Sequence, residues 1–327
     1  MRILLKIIVG LCGIVVLLLL GFVAFSWAPD RTVDELKGRW APPPSTFIEV
    51  AGTQVHMRDE GPREDAIPIV LLHGTSASLH TWDGWVNGVD RVDGLKQSRR
   101  VIRLDLPGFG LTGPFPDDDY MIGQYEKFMQ AFLDKLGVAH CVLAGNSFGG
   151  QVALVTALGR PSRVDRLILV DSAGYPLAPT VVPLGFRIAR LPVLNQIARV
   201  TLPRRIVEES IRNVYGDPSR VTPELIDRYF ELTLREGNRR ALAERLKHVL
   251  SDAITARIPE VNVPTLILWG GLDRLIAPEA GQRFAKDIAG SQLQIFDALG
   301  HLPHEEDPAL TLAAVKRFLG LGANSKN

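Results

Sequence analysis

Ser147 stands in "CVLAGNSFGGQVAL", residues 141–154, with Gly145 and Gly149 two positions to either side and Gly150 beyond. A serine on the turn between a buried strand and a helix is held in a strained backbone that lifts its Oγ above the carboxyl edge of a sheet. The glycines let strand and helix close on one another, and the helix N-terminus aims amides at the same spot, which favours developing negative charge. Gly-x-Ser-x-Gly alone is modest evidence. Its setting between an apolar run and a helical pattern makes Ser147 a candidate nucleophile.

A serine nucleophile needs a base. Among seven histidines, His301 in "LGHLPHEEDP" directly follows a predicted strand. A loop there can bring a neutral imidazole to the serine to take its proton. His304 is the local competitor, while His56, His80, His140 and His248 read as packing or surface residues. The base in turn needs a carboxylate to fix its tautomer and stabilise the imidazolium. Asp273 in "LWGGLDRLI" follows the next-to-last strand, and Asp171 in "ILVDSAG" ends the strand before a long insertion. Asp273 is favoured because its loop lies beside that of His301, whereas Asp171 can serve to cap its strand end. Acyl transfer also creates an oxyanion. The amide of Phe148 supplies one donor for it and Thr75 in "HGTSAS" the second, with His73 supporting that loop by hydrogen bonding.

These residues fall at the ends of near-continuous apolar runs: 67–74, 99–108, 140–147, 165–174, 264–271 and 291–300. Runs rich in Val, Ile and Leu suit strands buried on both faces of a parallel sheet. "TFIEV" and "QVHMR", separated by "AGT", read as a hairpin. Helical patterns at 120–137, 148–160, 280–290 and 308–320 alternate with the strands, which predicts an α/β fold with crossovers. About ninety residues between Gly174 and Pro264 break the alternation with helical periodicity and no strand, so they are a helical insertion. Within it, 182–200 sets Phe186, Ile188, Leu191, Leu194 and Ile197 among Arg187, Arg190 and Arg199, a mixture suited to an apolar pocket wall with a basic face.

The first residues carry a different signal. From Ile7 to Ala28 no residue is charged, and a helix of that length covers the roughly 30 Å hydrocarbon core of a bilayer. The expectation is an uncleaved membrane anchor, with the short basic tail of Arg2 and Lys6 inside and the folded domain outside the cytoplasm. Residues 30–46, charged and then Pro-rich, suit a semi-rigid spacer. With 327 residues, 46% of them hydrophobic, the chain can bury a sizeable core. A net charge of +1 with interspersed signs offers no basic stripe for nucleic acid. Cys12 and Cys141 read as free thiols, and no Cys/His cluster has metal-ligand spacing. No cofactor is implied.

With Ser, Asp and His in that order, residues 46–320 resemble the α/β-hydrolase superfamily. "LLHGTSAS…TW", "RLDLPGFGLT", "GNSFGG", "LWGGLD" and "GHLPHEEDP" fall in family order; Thr112 stands where the family's "DxPGxGxS" loop usually has serine. The resemblance implies a mostly parallel central sheet flanked by helices, with Ser147, Asp273 and His301 as triad and Thr75 and Phe148 as oxyanion donors. It divides the chain into an anchor (1–28), a linker (29–45), core (46–174), a helical lid (175–263), core again (264–320) and a tail (321–327). The anchor joined to "GNSFGG" looks like the membrane-anchored monoacylglycerol lipase type, which implies cleavage of lipid or other carboxylic esters. Carbon-carbon bond hydrolases of ring-cleavage products share a similar Asn-Ser elbow and form the alternative. Epoxide hydrolases and haloalkane dehalogenases place aspartate at the elbow, which argues against both. A non-catalytic binding module would lack a triad member, and none is missing.

Overall fold

The computed structural model describes residues 2–89, 91–176, 200–248 and 252–321. Its centre is an eight-stranded sheet: β1 (Thr46–Val50), β2 (Thr53–Glu60), β3 (Ile69–Leu72), β4 (Val101–Leu104), β5 (Cys141–Asn146), β6 (Val164–Val170), β7 (Thr265–Gly270) and β8 (Gln292–Phe296). The spatial order is β1-β2-β4-β3-β5-β6-β7-β8. β1 and β2 form the expected hairpin, turned by Ala51 and Gly52, both at positive φ. β2 is antiparallel to β4, and all later pairings are parallel.

Alternation along the strands divides the core in two. Val70, Leu72, Leu143, Leu167, Leu169, Ile267 and Trp269 face a cluster that includes Phe128, Phe132, Val152 and Phe284. With Arg2–Phe25 as α1 and Val33–Trp40 as α2, these belong to the helices α3 (Ile122–Lys135), α4 (Phe148–Gly159) and Pro278–Asp287. Ile69, Leu71, Val142, Ala144, Ile168 and Leu268 face the opposite way, onto Trp82, Trp85, Val315 and Phe318. Each fully buried large side chain contributes about 1.5–3 kcal/mol, so both faces must be covered, and the carboxyl edge is left free for chemistry.

Among the described residues, the segment between β6 and β7 contains α5 (Arg204–Val214), α6 (Pro223–Thr233), α7 (Asn238–Arg245) and a short helix, Asp252–Arg257. Residues 182–199, with the apolar and basic side chains singled out above, lie outside the described residues. Both cysteines are free, and burial pushes the Cys141 thiol up to about 12.

Two expectations for the N-terminus are corrected. The first residues do form a helix, Arg2–Phe25. Among the described residues, however, no helix is long and apolar enough to cross a membrane. The membrane-spanning anchor expected over residues 1–28, and with it the placement of the domain outside the cytoplasm, is not borne out. Arg2 and Lys6 lie within the helix's first two turns, and its far end passes directly into contacts with the body of the protein. Trp27 forms a β-bridge with Thr201, the Ala28 amide donates to the Val200 carbonyl (2.9 Å), and the Leu202 amide donates to the Ser26 carbonyl (3.0 Å).

The expected spacer is also folded. Thr32 and Glu35 form a capping box that starts helix Val33–Trp40. Leu36 of this helix is buried against Leu111 and Leu232. Arg39 pairs with Glu231 and Asp227 of α6, and Trp40 Nε1 donates to Glu231 (2.7 Å). Of the charges in the expected semi-rigid spacer, Asp30 and Arg39 pair with the insertion, whereas Lys37 pairs with Asp34 of its own helix.

Candidate active site

Ser147 joins β5 to α4 with φ 53° and ψ −116°, a left-handed conformation that costs a non-glycine residue of order 1–3 kcal/mol. Neighbouring contacts hold it there. Its amide donates to the Val170 carbonyl (2.9 Å), and its carbonyl accepts from Gln151 (3.1 Å) and Ala173 (3.0 Å). A Cβ at Gly145 would come within 2.2 Å of the Gly149 carbonyl oxygen, and one at Gly149 within 2.3 Å of the Leu72 carbonyl oxygen. The two glycines are thus required by the close approach of strand, helix and neighbouring strand.

His301 follows β8, and its Nδ1 lies 2.6 Å from Asp273 Oδ2. The other oxygen of Asp273 accepts from the amides of Leu275 (2.8 Å) and Ile276 (3.0 Å). All three side chains are buried, Ser147 being 8% exposed. The His301 loop is braced from three sides. Its amide donates to the Val214 carbonyl at the end of α5 (2.7 Å). Its carbonyl accepts from Asn146 Nδ2 (3.1 Å). The buried Glu306 carboxylate accepts from the amides of Gly300, Gly216 and Asp217, which ties the loop to the insertion.

Thr75 and Phe148 lie on the loop after β3 and at the start of α4, and one arginine touches both. Arg245 Nη2 donates to Thr75 Oγ1 (2.8 Å), and its guanidinium sits 4.2 Å from the Phe148 ring centroid. His73 supports the Thr75 loop from beneath. The Leu106 amide donates to its Nε2 (2.9 Å), leaving the proton on Nδ1 to donate to the Gly74 carbonyl (2.7 Å). Burial keeps its pKa below the usual histidine value, which favours this neutral form.

His304 points elsewhere. Its Nε2 meets Thr81 Oγ1 (3.0 Å), and its ring stacks on Trp82. Burial, with His301 and Arg228 nearby, holds its pKa well below the usual value. His140 pairs with Asp165 at the surface. His56 forms a second buried acid–base pair: Nδ1 lies 2.7 Å from Asp105 Oδ2, and Nε2 lies 2.9 Å from Ser45 Oγ.

Sequence reasoning missed Asn146, Glu306 and Arg245 as parts of this arrangement. Asn146 and Glu306 stand inside the quoted motifs, next to the serine and five residues after the histidine. Arg245 gives no local signal, because only the fold of the insertion carries it to Thr75 and Phe148.

Comparisons with known proteins agree with this fold. Residues 69–315 match the alpha/beta hydrolase family model. The chain is 30% identical over 227 residues to the uncharacterized hydrolase YugF of Bacillus subtilis (strain 168), a match covering 69% of this chain and 82% of that one. It is 30% identical over 265 residues to the 2-hydroxy-6-oxononadienedioate/2-hydroxy-6-oxononatrienedioate hydrolase of Escherichia coli O81 (strain ED1a), covering 78% and 87%. A malate-bound thermophilic esterase from Thermogutta terrifontis superposes with a TM-score of 0.68 at 25% identity, covering 85% and 98%. The chain belongs to the alpha/beta hydrolase family and is a hydrolase.

Proposed function

We propose that the protein is a serine hydrolase that cleaves a carbon-carbon bond next to a ketone, in a vinylogous keto acid of the kind produced by aromatic ring cleavage. The observation that carries the catalytic part is the hydrogen-bonded Asp273–His301 pair, whose loop is held by Asn146, the residue before a strained serine at a strand-to-helix turn. Ser147 Oγ attacks the ketone carbon while His301 accepts its proton, and Asp273 holds the imidazole in the required tautomer. The amides of Thr75 and Phe148 receive the oxyanion. The bond can break once the dienol substrate has tautomerised to its 2,6-dioxo-enoate form, which makes the carbon next to the ketone tetrahedral; the released electron pair then passes into the enone, and His301 returns the proton to the leaving fragment. Water then hydrolyses the acyl-serine.

Two features favour this bond. Asn146 precedes the nucleophile, as in the carbon-carbon bond hydrolases whose elbow it resembles, and its amide holds the His301 loop. The similarity to the Escherichia coli hydrolase extends over most of both chains. The insertion, residues 175–263, acts as a lid, with Arg245 reaching from it to the oxyanion loops.

Carboxylic ester hydrolysis is the second reading, favoured by the likeness to the thermophilic esterase. Parallel measurement of kcat/KM on a 2-hydroxy-6-oxo-dienoate, p-nitrophenyl esters and a monoacylglycerol decides between them. A dienoate preference is expected. Turnover of esters alone would establish the second reading instead.

A further inference from the structure

Asp171 stands one residue beyond the end of β6 and is completely buried, in a left-handed conformation (φ 43°). Its amide donates to the Leu268 carbonyl (3.0 Å), and its Oδ1 accepts from the Gly270 amide (2.9 Å). Oδ2 has no hydrogen-bond partner. One oxygen of Asp171, one oxygen of Asp273 and a ring nitrogen of His301 all lie within 4.8 Å of one another. The charged or titratable groups facing Asp171 are Asp273, His301 and, more distantly, Glu306.

Two carboxylates this close in a dry interior cannot both be ionised without a large penalty, and the one with fewer donors keeps the proton. Asp273 has three donors: two amides on Oδ1 and the His301 ring on Oδ2. Asp171 has one. The same count makes a cation a poor occupant, because the Asp273 oxygens are already engaged.

We propose that Asp171 is held as a neutral carboxylic acid whose Oδ2 proton is donated to the Asp273 carboxylate, making it a positioning residue for the Asp273–His301 pair. This rests on the roles assigned to Asp273 and His301 above. Burial first, and then the neighbouring Asp273 charge, push the Asp171 carboxyl well above its ordinary value. A folded-state pKa raised in this way stabilises the protein fully only below the unfolded carboxylate value near ~4; the contribution is lost as pH rises through the folded value. Once the pH exceeds that raised value, a second negative charge would appear behind Asp273 and disturb the pair.

Asp171→Asn tests this directly, since an amide can keep the acceptor toward Gly270 and the donor toward Asp273 without ionising. At neutral pH, infrared difference spectra between wild type and Asp171→Asn should show the carbonyl stretch of a protonated carboxylic acid, present only in wild type. The variant should keep kcat within about threefold and show a flatter alkaline limb, with a stability advantage over wild type that grows with pH. Asp171→Ala, which removes the donor, should lower kcat about tenfold to a hundredfold with KM little changed, the scale of a small misplacement of catalytic groups. Absence of the infrared band, or an Asp171→Asn variant as impaired as Asp171→Ala, would overturn the proposal. The infrared and stability measurements need no substrate. A failure of the catalytic reading would appear separately, as full activity in Asp273→Asn with the band intact.

Discussion

Among the described residues are two buried aspartate–histidine pairs of nearly equal length, 2.6 Å at Asp273–His301 and 2.7 Å at Asp105–His56. The second even continues to a serine, since Ser45 Oγ lies 2.9 Å from His56 Nε2. Their surroundings differ. Ser147 stands at positive φ at the head of a 12-residue helix, between the loops carrying Thr75 and His301. Ser45 precedes the edge strand β1, and its Oγ accepts from Arg58 Nε (2.9 Å). Asp105 accepts from the amides of Leu79 and Leu111 as well as from His56, so it pins the loops after β3 and β4 to β2. A serine–histidine–aspartate chain is thus only connectivity. Catalysis also needs a strained serine, amides aimed at the developing charge and an open sheet edge.

The largest effect should come from the elbow. Ser147→Ala and His301→Ala should each lower turnover by roughly four to six orders of magnitude, because members of a triad fail together. A fluorophosphonate probe should label wild type at Ser147 alone. Turnover surviving in Ser147→Ala would remove the contrast between the two serines.

Asp273→Asn should cost about three to four orders of magnitude in kcat while the protein stays folded, since an amide favours the wrong histidine tautomer. It should exceed the loss in Asp171→Asn, and the reverse ranking in two folded variants would reassign the acid.

Asp105→Asn should act on stability, by about 3 kcal/mol in urea denaturation, as expected when one partner of a buried pair is removed. Burial alone would raise the Asp105 pKa, but the facing His56 and its hydrogen bond outweigh this and hold it well below the usual carboxylate range. A depressed folded-state pKa stabilises fully above the unfolded value near ~4, and the contribution is lost as pH falls. The gap between wild type and Asp105→Asn should therefore close in acid. A gap that stayed constant down to the acid transition would show that Asp105 contributes through shape instead of charge.

The smallest effect is expected at Ser45. Ser45→Ala should leave turnover within about twofold and lower stability by about 1 kcal/mol, the net worth of an ordinary hydrogen bond. Loss of probe labelling in this variant would break the distinction drawn here.

The contrast also explains what the sequence made legible. The strands, the hairpin and the elbow could be read because each rests on a local signal: apolar runs, Ala-Gly-Thr between two strand-like segments, glycines flanking a serine. Asp273 and His301 could be read because strand order places their loops side by side. The N-terminal segment misled because hydropathy and charge are composition, while docking is geometry. Residues 30–40 look like part of a semi-rigid spacer until Asp227, Glu231 and Arg239 are brought to them from some two hundred residues away. Arg245 was unreadable for the same reason. The proton on Asp171 depends on how many donors its neighbour already has, which no linear pattern records.

That docked N-terminal segment has a consequence for how the protein is made. Asp30 and Arg239 are separated by 209 residues of chain, and Arg31 bridges Arg235 across a similar span. During synthesis the first forty residues leave the ribosome long before the helices that will hold them. Contacts of such sequence separation form late, because the intervening chain must be ordered first. The segment Thr32–Trp40 therefore closes over α6 only after the insertion has been translated, so a polypeptide halted before residue 240 would present Leu36 and Trp40 to whatever binds exposed apolar chain.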